Sequence, residues 1–270
     1  MGYWNFNYMP IYIIYSYSMK YLGGKNKIGR YIADVMKDRI PSDKVDGYLE
    51  PFCGSLGVTQ HMTTDYKVFA SDTHPDLIEL WKKLQKNQFI APKTMSEKRY
   101  IKIKNTKSPS ALKAFVGFGC SFGGKYFSGY AQKYTNGKNE NYLSAVTNSM
   151  KKIQPKITKV TFKCRDYKKW KPKNMLIYCD PPYKYSKFPV KYRTSTKKYE
   201  EFDNKEFWET MRKWSKKNHV FISEQDAPSD FVSVWKRRTY RSASQSKKTR
   251  FKSLTAKKYR TEHLFIYNGN

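Results

Sequence analysis

Met175-Leu-Ile-Tyr-Cys-Asp-Pro-Pro-Tyr183 is the stretch on which the fold turns. Its first five residues are a short, nearly unbroken apolar run, the pattern of a strand covered on both faces of a parallel sheet. Asp180 leaves that strand at its carboxyl end, the edge where open α/β sheets hold their ligands. Pro181 and Pro182 fix the backbone and remove two N–H donors. What remains is a carboxylate and carbonyl oxygens with no competing donor, beside the ring of Tyr183. Such a group suits an exocyclic amino group on a flat base: the amine donates to Asp180 and to a proline carbonyl, and the ring stacks on the base. The plainer reading is a proline-rich turn closing a strand.

Upstream, the pattern of a doubly wound domain builds outward from this strand. Ile28, Tyr31, Ile32, Val35 and Met36 recur at helical spacing and predict a helix with one buried face over residues 26–40. Gly47-Tyr-Leu-Glu-Pro-Phe52 reads as a strand, followed by a Gly54-Ser-Leu-Gly57 turn into a helix. Lys67-Val-Phe-Ala-Ser-Asp72 reads as a second strand, and residues 75–85 as a helix with Leu77, Ile78, Trp81 and Leu84 on its face. Strand, glycine turn, helix, strand, helix is the opening of a doubly wound α/β sheet. The Gly54 turn lets a ligand approach the backbone closely. Asp72, ending the second strand, is placed either to bind the ribose hydroxyls of a nucleoside or to cap the helix that follows. Lys20-Tyr-Leu-Gly-Gly-Lys25 brings two glycines and a cation just ahead of the first helix.

Residues 86–157 break the rhythm with a Lys-rich stretch, a glycine and aromatic stretch over 115–130, and one expected helix over 140–153 that Pro155 stops. They read as an inserted, mostly helical subdomain. Strands then return at residues 159–166, 175–179, 219–223, 233–241 and 262–267. Asp203 with Glu206 forms a capping box for a helix running to residue 218. Gly119-Cys-Ser-Phe-Gly-Gly-Lys125 approaches a phosphate-binding loop, but Tyr126 stands where a Ser or Thr must meet magnesium, and the context is not strand–loop–helix.

Composition narrows the partners. The 270 residues carry 53 Lys and Arg against 22 Asp and Glu, a formal net charge of +31. A surface that basic predicts a nucleic-acid partner. The charge is uneven: residues 236–260 hold 11 Lys/Arg and no acid, 151–173 hold ten against Asp166 alone, and 184–198 hold six and no acid. Two of these runs flank strands on the Asp180 side, which predicts a phosphate-binding rim with salt-dependent affinity. Cys53, Cys120, Cys164 and Cys179 form no CxxC pair, so no metal module is expected and reduced, mostly buried thiols are. No run approaches 18 apolar residues, so no membrane span is expected. Residues 1–19 contain no charged residue before Lys20 and make a poor signal peptide, so an intracellular protein, cytoplasmic or nuclear, is expected. They read as an extra strand, a packing arm or an over-extended start before Met19.

Tyr21-Leu-Gly-Gly-Lys25, Glu50-Pro-Phe-Cys-Gly54, Asp72 and Asp180-Pro-Pro-Tyr183, in that order, resemble the Dam-type DNA adenine N6-methyltransferases over most of residues 20–270. The resemblance implies a Rossmann-like methyltransferase sheet made of residues 20–85 and 158–270, with 86–157 as an inserted DNA target-recognition subdomain and 1–19 as an extension. It implies contacts to S-adenosylmethionine from Tyr21, Lys25, Pro51, Phe52, Gly54, Asp72 and Asp180, and from the acidic–aromatic pair Asp166-Tyr167. Asp180, Pro181 and Tyr183 would hold the target adenine, flipped from double-stranded DNA, and a phage- or virus-encoded source is open. One departure stands out: where the family usually has a second glycine, two residues after Gly54, this chain has Leu56, which predicts a reshaped loop. The acceptor cluster by itself would equally serve RNA adenine or the amine of cytosine, and a non-catalytic nucleic-acid-binding protein could share the fold.

Overall fold

A computed structural model describes residues 19, 21–135, 138–182, 202–240 and 259–269. The expectations placed on Tyr183, on the first 18 residues, and on the basic residues of 184–198 and 241–258 lie outside these described residues.

Among the described residues, seven strands form one mixed sheet: β1 (Tyr48–Glu50), β2 (Val68–Asp72), β5 (Thr161–Cys164), β6 (Leu176–Cys179), β7 (His219–Glu224), β8 (Phe231–Tyr240) and β9 (Tyr259–Tyr267). Their order is β5-β2-β1-β6-β7-β9-β8. The pairs β5/β2, β2/β1, β1/β6 and β6/β7 are parallel, and β9 runs antiparallel to both neighbours. The sequence reverses direction between β1 and β6, which makes the carboxyl ends of those two strands the switch point of the sheet.

Alternation along each strand assigns the two faces. Tyr48, Val68, Ala70, Leu176, Tyr178 and Phe221 share one core with Ile32 and Met36 of α1 (Gly29–Arg39) and Leu77 and Trp81 of α2 (Pro75–Gln85). Leu49, Ile177, Cys179, Val220 and Ile222 share the other with Phe207, Met211 and Trp214 of α6 (Asn204–Ser215). β6 is buried at every residue, as its apolar run demands. α6 begins where the capping box places it: Asp203 Oδ1 accepts from the Glu206 N–H at 2.9 Å.

Between α2 and β5 come α3 (Glu97–Lys104), α4 (Ala111–Gly119), a hairpin of β3 (Gln132–Thr135) and β4 (Lys138–Asn141), and α5 (Leu143–Ile153). Tyr100, Ala114, Phe115, Phe118, Val146 and Met150 join the core of the α1/α2 face. Two of these helices go beyond the single one expected. α4 carries Gly117 and Gly119 inside it, which reads as loop. Packing overrides propensity there: a Cβ on Gly117 would lie 2.5 Å from the Tyr126 ring, and one on Gly119 would lie 2.5 Å from Val146. The helix expected after Gly57 is reduced to one 3-10 turn, Thr59–His61, among β-branched residues that form helices poorly. No helix among the described residues is long and apolar enough to cross a membrane. Cys53, Cys120 and Cys179 are buried free thiols, and Cys164 is exposed.

Candidate active site

The residues singled out by motif gather at the carboxyl ends of β1, β2, β5 and β6. Asp180 follows β6 directly, and Lys25 reaches it from the turn before α1. Lys25 Nζ lies 2.6 Å from Asp180 Oδ1 and donates also to the Gly23 carbonyl at 3.3 Å. Its side chain is 5% exposed and that of Asp180 18%, so the pair is held largely out of water. Burial pushes the Asp180 carboxyl upward and Lys25 pulls it back. Pro181, which has no N–H to offer, is buried behind it.

The glycine turn forms the adjoining wall. Gly54 takes φ +44°, and the Tyr21 ring packs where its side chain would be, at 3.1 Å from a Cβ. Tyr21 in turn leans on Phe118, ring centroids 4.9 Å apart. Asp72 ties this turn to α2: one carboxylate oxygen accepts from the Gly54 N–H at 3.1 Å and the other from the His74 N–H at 2.9 Å. Asp72 is thus bonded to backbone N–H groups on both sides, at the glycine turn and at the entrance to α2, where the capping alternative places it. Burial raises its carboxyl to about 6.

Leu56 answers the expected reshaping of the loop. It keeps the left-handed backbone that a glycine would adopt, φ 60°, while its side chain is fully buried. The backbone strain of a non-glycine residue there is offset by burying a leucine side chain. Gly29 allows α1 to dock on the following Gly57, because a Cβ on Gly29 would overlap the Gly57 carbonyl oxygen.

A third wall is aromatic. Phe52, after Pro51, stands 5.2 Å from the Tyr167 ring and 5.9 Å from Phe207. Asp166 precedes Tyr167 and uses its carboxylate to accept the Lys168 N–H at 2.8 Å. The structure thus joins Lys25 with Asp180, Gly54 with Asp72 and Tyr21, and Phe52 with Tyr167. Asp166 lies at the same edge with its carboxylate turned to its own backbone.

Near the site, the buried carboxylates of Glu224 and Glu262 escaped the motif reading, and Glu50 stood inside a motif with no role of its own. Glu50 accepts from the Tyr48 hydroxyl at 2.6 Å and from Thr59 at 2.5 Å, and burial raises it to about 8. Glu224, ending β7, is raised by burial to about 7. Glu262 on β9 places Oε1 3.3 Å from Lys25 Nζ. A charged residue inside a strand pattern was the available signal for Glu262, but its partner is near the other end of the sequence.

The arrangement brings a glycine turn, an aromatic cluster and the Asp180 carboxylate together at the carboxyl ends of the strands, beside the sheet's switch point. The sequence profile of the D12 class N6 adenine-specific DNA methyltransferases matches residues 21–111 and 120–259. The chain belongs to that family. Its members are adenine-specific DNA methyltransferases, so this is an enzyme of DNA adenine methylation. A sequence search of curated proteins returns no match. Among solved structures, the rRNA methyltransferase aviRa from Streptomyces viridochromogenes matches at 10% identity, over 88% of this chain and 84% of its own, with a TM-score of 0.34. As a methyltransferase of this family, the chain requires a methyl donor and a DNA substrate.

Proposed function

We propose that this methyltransferase takes an adenine out of duplex DNA and methylates its N6 at Asp180, with S-adenosylmethionine as donor. The observation that carries the reading is the state of Asp180. One of its oxygens is engaged by Lys25, and the next two residues are prolines, so the surroundings offer acceptors to an incoming amine and few donors to compete with it.

The donor set fits the cofactor. The glycine turn at Gly54 is roofed by the Tyr21 ring, Asp72 and Asp180 are assigned to the cofactor's hydroxyl and amino groups, and Phe52, backed by the buried Tyr167, is assigned as a flat face for a purine. Tyr21, Lys25, Pro51 and Asp166 complete the lining. S-adenosylmethionine supplies an electrophilic methyl group carried on a sulfonium.

The protein's part is positioning and acceptance. The adenine amine is a poor nucleophile because its lone pair is delocalised into the ring. Donating its hydrogens to Asp180 and the Pro181 carbonyl makes the nitrogen more tetrahedral and frees that pair. Bound there, the sulfonium would give its methyl group to N6 and keep the electron pair of the broken C–S bond. The surplus N6 proton passes to Asp180 and on to solvent. Holding nitrogen and methyl group in line provides much of the acceleration, and the carboxylate stabilises the positive charge that grows on nitrogen. Tyr183, next in sequence, is assigned to stack on the flipped base. Residues 86–157 are assigned to reading the target site, and the basic runs to the phosphates.

The test is methyl transfer from labelled S-adenosylmethionine to duplex DNA, single-stranded DNA and RNA, followed by digestion and identification of the labelled base, with Asp180→Ala as control. Label in N6-methyladenine of duplex DNA is expected. Label in RNA alone, or on cytosine, would assign the same acceptor cluster to another base.

A further inference from the structure

Glu262 has no part in the chemistry above, yet it is 4% exposed and sits against the catalytic pair. Its Oε1 is 3.3 Å from Lys25 Nζ, and its Oε2 is 3.6 Å from Arg260 Nη2. The Lys25 ammonium therefore lies between two carboxylates, closer to Asp180 at 2.6 Å. A lysine serving Asp180 alone, in a site this dry, would hold the carboxylate's charge tightly. That would weaken it as an acceptor for any second donor. A second carboxylate on the same ammonium opposes this.

We propose that Glu262 is a positioning residue: it takes a share of the Lys25 ammonium, so that Asp180 keeps an oxygen basic enough to draw on the target amine. The inference rests on the reading of Asp180 as the amine's acceptor. The charged groups around Asp180 come from every neighbouring element. Lys25 comes from the turn before α1, Glu262 and Arg260 from β9, Glu224 from β7 and Glu50 from β1, with the Tyr178 hydroxyl on its own strand. Lys25 and Arg260 favour the carboxylate, whereas burial and Glu262 disfavour it. Removing the Glu262 charge deletes an opposing influence and lets Lys25 turn fully to Asp180, and both effects act in the same direction.

The experiment compares the wild type with Glu262→Gln and Glu262→Asp, titrating the Asp180 carboxyl by 13C NMR with Asp180→Asn to assign its signal. Glu262→Gln is expected to move that titration down by about one pH unit. It should lower kcat roughly tenfold at neutral pH, with KM for DNA and cofactor within about twofold. Glu262→Asp, keeping the charge, should remain near the wild type. An Asp180 titration that stays in place or rises in Glu262→Gln overturns the proposal. So does loss of a cooperative thermal transition in that variant, which would make the residue structural. A wild type that methylates no adenine would sink the acceptor reading instead, while the NMR titration still decides whether Glu262 acts on Asp180.

Discussion

Lys25 Nζ and Asp180 Oδ1 meet at 2.6 Å across 155 residues of chain, joining the turn before the first helix to the end of the central strand. The contact is what makes two distant motifs one site. Lys25→Met should break it from one side. Asp180, still buried, would lose the cation that pulls its carboxyl down, so its titration should move to higher pH, opposite to the Glu262→Gln shift. The expected activity loss is roughly 100-fold or more, and the acid limb of the pH–rate profile should shift to higher pH. Methyl-transfer rates between pH 5 and 8 check both.

Asp180→Asn keeps the shape and removes the charge. Lys25 retains Glu262 as a partner, so the fold should survive with a melting temperature within a few degrees of the wild type. Methyl transfer should fall by about 1,000-fold, since both the amine's acceptor and the electrostatic support at nitrogen are lost. Thermal melts and single-turnover assays on the same sample separate the two effects.

Leu56→Gly sets backbone strain against packing. Glycine relieves a left-handed φ of 60°, about 1 kcal/mol, but empties a fully buried leucine site, a loss of roughly 2–5 kcal/mol. Packing should win, leaving the variant about 1–4 kcal/mol less stable by urea denaturation. A gain in stability would show that the strained loop dominates.

The buried carboxylates predict an unusual pH dependence of stability. Glu50 at about 8 and Glu224 at about 7 hold protons in the folded chain that the unfolded chain, near 4.5, has already released. Their folded values are raised, so their contribution is complete at low pH and is lost as pH climbs through 7 and 8. His61 and His74, lowered to about 4, act in the opposite sense but only below about 6.5. Between pH 6.5 and 8.5 the melting temperature should therefore fall, and Glu50→Gln should flatten that slope. Differential scanning calorimetry without ligand measures it.

The parts legible in sequence were those with strong local pattern. Residues 175–179 announced a two-sided buried strand because no polar residue interrupts them, and Asp203 with Glu206 announced α6 through its cap. α3 was missed because its lysines and short length leave only Tyr100 and Ile103 buried, too few for a clear period. α4 was missed because Gly117 and Gly119 are there for Tyr126 and Val146, neighbours that only the folded chain supplies. At the site, Lys25, Asp72 and Asp180 stood in recognisable motifs. Glu262 did not: its meaning comes from β9 lying in the sheet beside β7, a placement set by the sheet's order and invisible along the chain.

That placement has a consequence for biosynthesis. Translation delivers β8 before β9, yet β9 lies between β7 and β8 in the finished sheet. Until β9 leaves the ribosome, the nascent chain keeps a slot open between two unpaired strand edges, the kind of surface that recruits other chains. A late stop codon would then yield a product that has lost the strand carrying Glu262 and exposes both edges. Quality control would meet such a truncated chain as an aggregation hazard.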